Sequence, residues 1–90
     1  MKGYTDIFKT PITVDEVRLA VQVVVGMNSA SPSLLQRRMK IGFAKAGTML
    51  RLLEDAKVVS PASGKPRTVV LRHEAAATNA ALRQLRKGNR

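Results

Sequence analysis

The residues with the greatest chemical reach lie in the second half of the chain. Lys45, Thr48 and Arg51 fall at i, i+3 and i+6, which puts them along one side of a helix if residues 43–56 are helical. Ala44 and Gly47 sit beside them. Lysine and arginine can donate to guanine edges, and threonine offers a hydroxyl or a methyl to a base. Ala44 and Gly47 supply no hydrogen bonds but allow a partner to approach closely. Arg37, Arg38 and Lys40 lie just upstream, and Lys65 and Arg67 follow in a turn-rich segment. These five suit phosphate holding, which fixes docking position and not sequence. Each basic residue also reads as an ordinary solvated surface cation, most evenly so for Arg37, and Thr48 is as evenly divided between base contact and plain surface.

The charge balance supports a polyanionic partner. Sixteen Lys and Arg stand against six Asp and Glu, a net +10 in 90 residues. Residues 1–33 are neutral, so the whole excess falls in residues 34–90. Each phosphate neutralised by such a surface releases condensed counterions. Solubility alone asks for less charge than this.

Other chemistries find little footing. With no cysteine there is no thiol chemistry or disulfide, and the one histidine, His73, makes no metal site alone. Gly64-Lys65 lacks the upstream glycine loop of a phosphate-binding motif. Asp15, Glu16, Glu54 and Asp55 are better explained by capping and surface charge than by acid–base catalysis. Tyr4, Phe8 and Phe43 are too scattered for a stacking platform on single strands. The expectation is a non-enzymatic protein without cofactor or metal. The start, Met-Lys-Gly-Tyr-Thr-Asp, does not read as a secretory leader, and no apolar run is long enough to span a membrane. A cytoplasmic, nucleoid-associated location without membrane contact is expected.

Four helices and a hairpin are expected to position these residues. Residues 1–11 read as an arm held by Tyr4, Ile7 and Phe8. Thr13 and Glu16 form a capping box, with Ile12 and Val17 as a hydrophobic staple. The helix behind them runs to Gly26 or Met27 on the face of Val17, Ala20, Val21 and Val24. Its Val23-Val24-Val25 run has strand propensity, which the two-sided cap outweighs. Ser31, with Ser33 as its rival, caps a second helix whose first residue is Pro32. Ile41 and Gly42 end it, Gly42 being suited to a positive φ. A third helix spans about Phe43–Ala56, with Phe43, Ala46, Leu50 and Leu53 inward. Val58-Val59 and Arg67–Arg72 form the strands of a hairpin around Ser60–Pro66. An alanine-rich helix from about His73 to Lys87 closes the chain, with Ala77, Ala81, Leu82 and Leu85 apolar. This order predicts a mainly α winged helix-turn-helix: a three-helix core, a small β-hairpin wing and an extra C-terminal helix. The divisions are an arm (1–11), a winged helix domain (12–72) and a basic helix and tail (73–90).

Residues 13–71 resemble the gamma domain of the FtsK/SpoIIIE DNA translocases. The resemblance is carried by Ser33-Leu34-Leu35-Gln36-Arg37-Arg38-Met39-Lys40-Ile41-Gly42, by Phe43-Ala44-Lys45-Ala46-Gly47, by Leu53-Glu54, and by Gly64-Lys65-Pro66-Arg67 leading into Val69-Val70-Leu71. It implies a winged helix that binds short, oriented double-stranded DNA motifs, directs a hexameric motor and touches a site-specific recombinase. The recognition helix then corresponds to Phe43–Ala56 and the wing to Pro61–Arg67. Lys45 matches a basic position. Ala44 stands where many members have asparagine, Thr48 where arginine is usual, and Arg51 where an acid is usual. Thr48, where a long base-reading or phosphate-holding group has been lost, puts the family's usual target sequence in doubt while leaving DNA binding itself intact.

Together these features lead to the expectation of a free-standing, sequence-specific double-stranded DNA-binding protein. A phage- or plasmid-type regulator or accessory factor in repression, excision or segregation fits. Weak self-association or cooperative binding on DNA goes with it. The alternative is a protein-interaction module that modulates a translocase or recombinase.

Overall fold

The computed structural model describes residues 4–5, 11–61 and 67–88. Within them the order is α1 (Val14–Met27), α2 (Pro32–Met39), α3 (Phe43–Asp55) and α4 (Glu74–Gly88). Ile7, Phe8 and Lys65 lie outside the described residues, as does most of the expected wing tip.

Helix starts follow the sequence closely. Thr13 Oγ1 accepts from the Glu16 N–H at 3.2 Å, and the Thr13 N–H donates to Glu16 Oε1 at 2.9 Å. Two otherwise orphaned donors are thereby satisfied. Ser31, not Ser33, caps α2 by accepting from the Leu34 N–H at 3.1 Å, with Pro32 behind it. His73 Nδ1 accepts from the Ala76 N–H at 3.2 Å at the start of α4.

The ends of α1 and α2 use left-handed residues, Asn28 (φ 50°) and Lys40 (φ 56°). Gly42 was expected to take the left-handed conformation between α2 and α3. Instead it is the extended N-cap of α3 at φ −75°. A non-glycine residue in the left-handed region costs about 1–2 kcal/mol, so the turn is held by what flanks it. Leu35 before it is fully buried, and Met39 and Ile41 pack against the same core.

One core joins all four helices. It includes Val17, Val21 and Val24 of α1, Leu35 of α2, Met49, Leu50, Leu52 and Leu53 of α3, and Ala77, Ala81 and Leu85 of α4. Helix α4 packs chiefly on α1 and also on α3, so it belongs to the core. The small side chains of Ala77 and Ala81 let the two helices approach closely. Leu82, expected on the apolar side, is half-buried against this core.

Phe43 departs from expectation. Taken from the sequence as core, it is 68% exposed, while Met49 and Leu52 are fully buried. The buried arc of α3 is centred on Ala46, Met49 and Leu53, and Phe43 lies on its edge at the first turn, where no neighbour covers it.

The expected hairpin appears among the described residues as a single antiparallel bridge, Val59 to Val69. Ser60 donates its N–H to the Thr68 carbonyl at 2.9 Å, and Val70 donates to Val58 at 2.8 Å. Among the described residues the pairing goes no further, for two reasons. Pro61 has no N–H to continue it, and the Val58 carbonyl also accepts from Leu71 at 3.1 Å, which draws the second run out of register.

Glu16 ties the α1 cap to α3 as well, because its Oε2 lies 2.6 Å from Lys45 Nζ. Burial alone would raise the Glu16 carboxyl, but the Lys45 ammonium and the Thr13 N–H outweigh it and hold the group below its ordinary value of 4.5. A carboxyl depressed in the folded state contributes stability above its unfolded value, and this is lost as pH falls through the folded value. Denaturation measured from neutrality downward should therefore show Glu16→Gln, which preserves capping, losing less stability than the parent across the carboxylate range. Parallel curves for the two proteins would contradict this role.

Candidate nucleic-acid interface

The outward arc of α3 is set by what the other helices cover. With Ala46, Met49, Leu50, Leu52 and Leu53 buried, the arc left to solvent runs through Phe43, Ala44, Gly47 and Arg51. Phe43 and Arg51 are exposed; Ala44 and Gly47 are half-exposed. A side chain added at Gly47 would meet nothing within 4 Å. No close approach inside the molecule therefore explains that glycine. Phe43, missed as a surface residue, completes an apolar, nearly flat strip at the N-terminal half of the helix. Its aromatic type argued for the core, and only the helical phase relative to Met49 and Leu53 could have shown otherwise.

The other two members of the expected row sit differently. Lys45 lies on the flank toward α1, paired with Glu16, and its side chain keeps only 16% of its exposure. Thr48, three residues on, lies on the same flank, nearer the exposed arc. Its hydroxyl is within reach of the Ala44 carbonyl at 3.1 Å and of the Thr5 carbonyl at 3.3 Å. The first contact is local back-bonding within the helix. The second brings the start of the chain against α3.

That arm is anchored by Tyr4, which is 6% exposed. The Tyr4 carbonyl accepts from the Ile12 N–H at 3.1 Å, and Thr5 bridges Pro11. The phenol donates to Asp55 at 2.6 Å and accepts from Gln84 Nε2 at 2.9 Å. Burial raises the phenol above its ordinary value of 10, and the bond to Asp55 raises it further, so it stays a donor. The Arg51 guanidinium carbon lies 5.7 Å from the centre of the Tyr4 ring, within cation–π range. Arg51 is thus exposed yet steered.

The phosphate candidates divide into paired and unpaired groups. Arg37, Arg38 and Lys40 are exposed at the end of α2, beside the start of α3. None has a carboxylate partner among the described residues, and an Arg38 guanidinium nitrogen lies 3.7 Å from Met27 Sδ. Arg67, in contrast, has its Nε 3.3 Å from Glu54 Oε2. No described group of His, Cys, Asp and Glu could hold a metal ion, and no described helix is long and apolar enough to cross a membrane.

The sequence model of the Ftsk gamma domain matches residues 15–72, from the first turn of α1 to the entrance of α4. Over 56 residues the chain is 46% identical to the DNA translocase SpoIIIE of Bacillus subtilis, an alignment covering 61% of this chain and 7% of the relative. Identity to the DNA translocase FtsK of Mycobacterium leprae is 44% over 66 residues, covering 71% and 8%. Identity to the FtsK of Chlorobaculum tepidum is 45% over 56 residues, covering 61% and 7%. The chain therefore spans less than a tenth of the length of these relatives. No solved structure matches it. With most of its length matched, including α2, α3 and their turn, the chain belongs to the FtsK gamma domain family.

Proposed function

We propose that this chain binds double-stranded DNA sequence-specifically as a winged helix, with α3 in the major groove and the segment around Pro61–Arg67 as the wing. The observation that carries this reading is the exposed strip of Phe43, Ala44, Gly47 and Arg51 beside the unpaired cations Arg37, Arg38 and Lys40. A major groove admits one helix, and the small residues Ala44 and Gly47 let the backbone between Phe43 and Arg51 approach the groove closely. Phe43 is suited to thymine methyl groups and Arg51 to a guanine edge. Arg37, Arg38 and Lys40 grip phosphates and set the register. Lys45 and Arg67 join only by exchanging a carboxylate for a phosphate. The relatives are named as DNA translocases, which agrees with a duplex partner.

The role is binding without catalysis, cofactor or metal, in a nucleoid-associated setting. Regulation or an accessory task in repression, excision or segregation, of a phage or plasmid kind, is the finer reading. Copies that associate weakly or side by side on DNA supply the contact area that one recognition helix lacks. Service as a module contacting a translocase or recombinase is the weaker alternative, supported by a shallow groove between Leu19, Val23, Met27 and Arg38.

Two outcomes are expected. Duplex affinity should fall with salt at a log–log slope of about −5 to −7, from roughly 5–8 phosphate contacts; a slope shallower than about −2 would sink the DNA reading. Gly47→Ala should raise folding stability by about 0.5–1 kcal/mol while weakening binding to a selected duplex, because the added methyl occupies space left for DNA. A variant that is more stable and binds as well as the parent would place the duplex elsewhere.

A further inference from the structure

We infer that the last helix extends the DNA surface, with Arg83 and Lys87 on one edge of α4 holding duplex phosphates beyond the site read by α3. This rests on the DNA-binding reading above. The starting observation is the Tyr4 phenol, which joins three parts of the chain at one oxygen. It donates to Asp55 in the last turn of α3 and accepts from Gln84 of α4, and its ring carries the Arg51 guanidinium. The Gln84 edge of α4 is thereby held beside the Arg51 end of the exposed α3 strip.

Helical spacing decides which cations share that edge. Lys87 stands three residues after Gln84 and neighbours it on the helix surface, and Arg83 lies one turn before Lys87 in the same row. Arg86, two residues from Gln84, does not face that edge. Arg83 and Lys87 are exposed, and neither has a carboxylate partner among the described residues. Glu74, the one acid of α4, lies at its opposite end. Favourable interaction with the helix dipole accounts for cations in the last turn. It does not account for Arg83, which lies a full turn before Lys87 on the same edge. Packed helices lie about 8–10 Å apart, and a major groove is about 12 Å wide. One duplex seated on α3 therefore comes within reach of this edge. Both partners of the junction on this side, Tyr4 and Gln84, lie outside the matched residues 15–72. The surface is thus built from segments flanking the family domain.

The test uses the full chain and a duplex long enough to pass beyond α3 at both ends. Salt titrations would compare the parent, Arg83→Ala/Lys87→Ala and Arg86→Ala, each first checked by thermal unfolding. The double variant should make the slope shallower by about 1.8, at roughly 0.9 per lost phosphate contact, while Arg86→Ala leaves it unchanged. An unchanged slope in the double variant would overturn the inference, as would an equal loss per residue in Arg86→Ala, which would mark a general charge effect. Both results leave duplex binding by α3 in place. A parent chain that binds no duplex would instead overturn the DNA reading itself.

Discussion

The molecule depends on the burial of one face of α3. Five of its thirteen residues, Ala46, Met49, Leu50, Leu52 and Leu53, are buried; α2 and α4 pack against the helix, and the valines of α1 complete the same core. A chain of this size removes only about 60% of its unfolded surface from water. It cannot spare apolar residues on a second core. The covering elements are accordingly aliphatic and small-featured: valines on α1, Leu35 on α2, alanines and Leu85 on α4. Once that face is fixed, the arc left over is fixed too. Phe43, Ala44, Gly47 and Arg51 are outward because nothing remains to cover them.

Charge is then distributed by the same packing. One flank of α3 is brought against other elements, so Lys45 meets Glu16 and Thr48 meets Thr5. Arg51 on the outward arc and the cations at the end of α2 stay open to solvent. Pairing that flank while leaving the outward arc open seats α3 without neutralising those cations. Arg51 is the intermediate case, since the Tyr4 ring restricts its guanidinium while leaving it exposed. A guanidinium already restricted loses less entropy when it meets a base edge or phosphate.

Much of the architecture was legible in the sequence because it is written in local signals. The Thr13–Glu16 box, the Ser31–Pro32 start and the periodicity of α1 placed α1 and α2 to within a residue or two of their observed ends. The charge excess in residues 34–90 needed no structure at all. What escaped was tertiary. An aromatic residue at the head of α3 argued for burial, yet Phe43 is exposed because the helical phase turns it past the last covering neighbour. Lys45 and Thr48 share a side with Arg51 by spacing, but Glu16 and Thr5 engage the first two while Arg51 stays exposed. The Tyr4–Asp55–Gln84 junction joins residues up to 80 apart in sequence, and no periodicity announces it. Two short apolar runs suggested a hairpin, and Pro61 together with the doubly used Val58 carbonyl limits the pairing seen to one bridge.

The central claim is that duplex DNA meets the uncovered arc of α3. It is tested most directly by following every backbone amide by NMR while a selected duplex is added to the full chain. The predicted result is that the largest shifts fall on Lys40 to Arg51, while Leu19 to Met27 of α1 stay still. Shifts concentrated on Leu19 to Met27, with α3 unmoved, would contradict it.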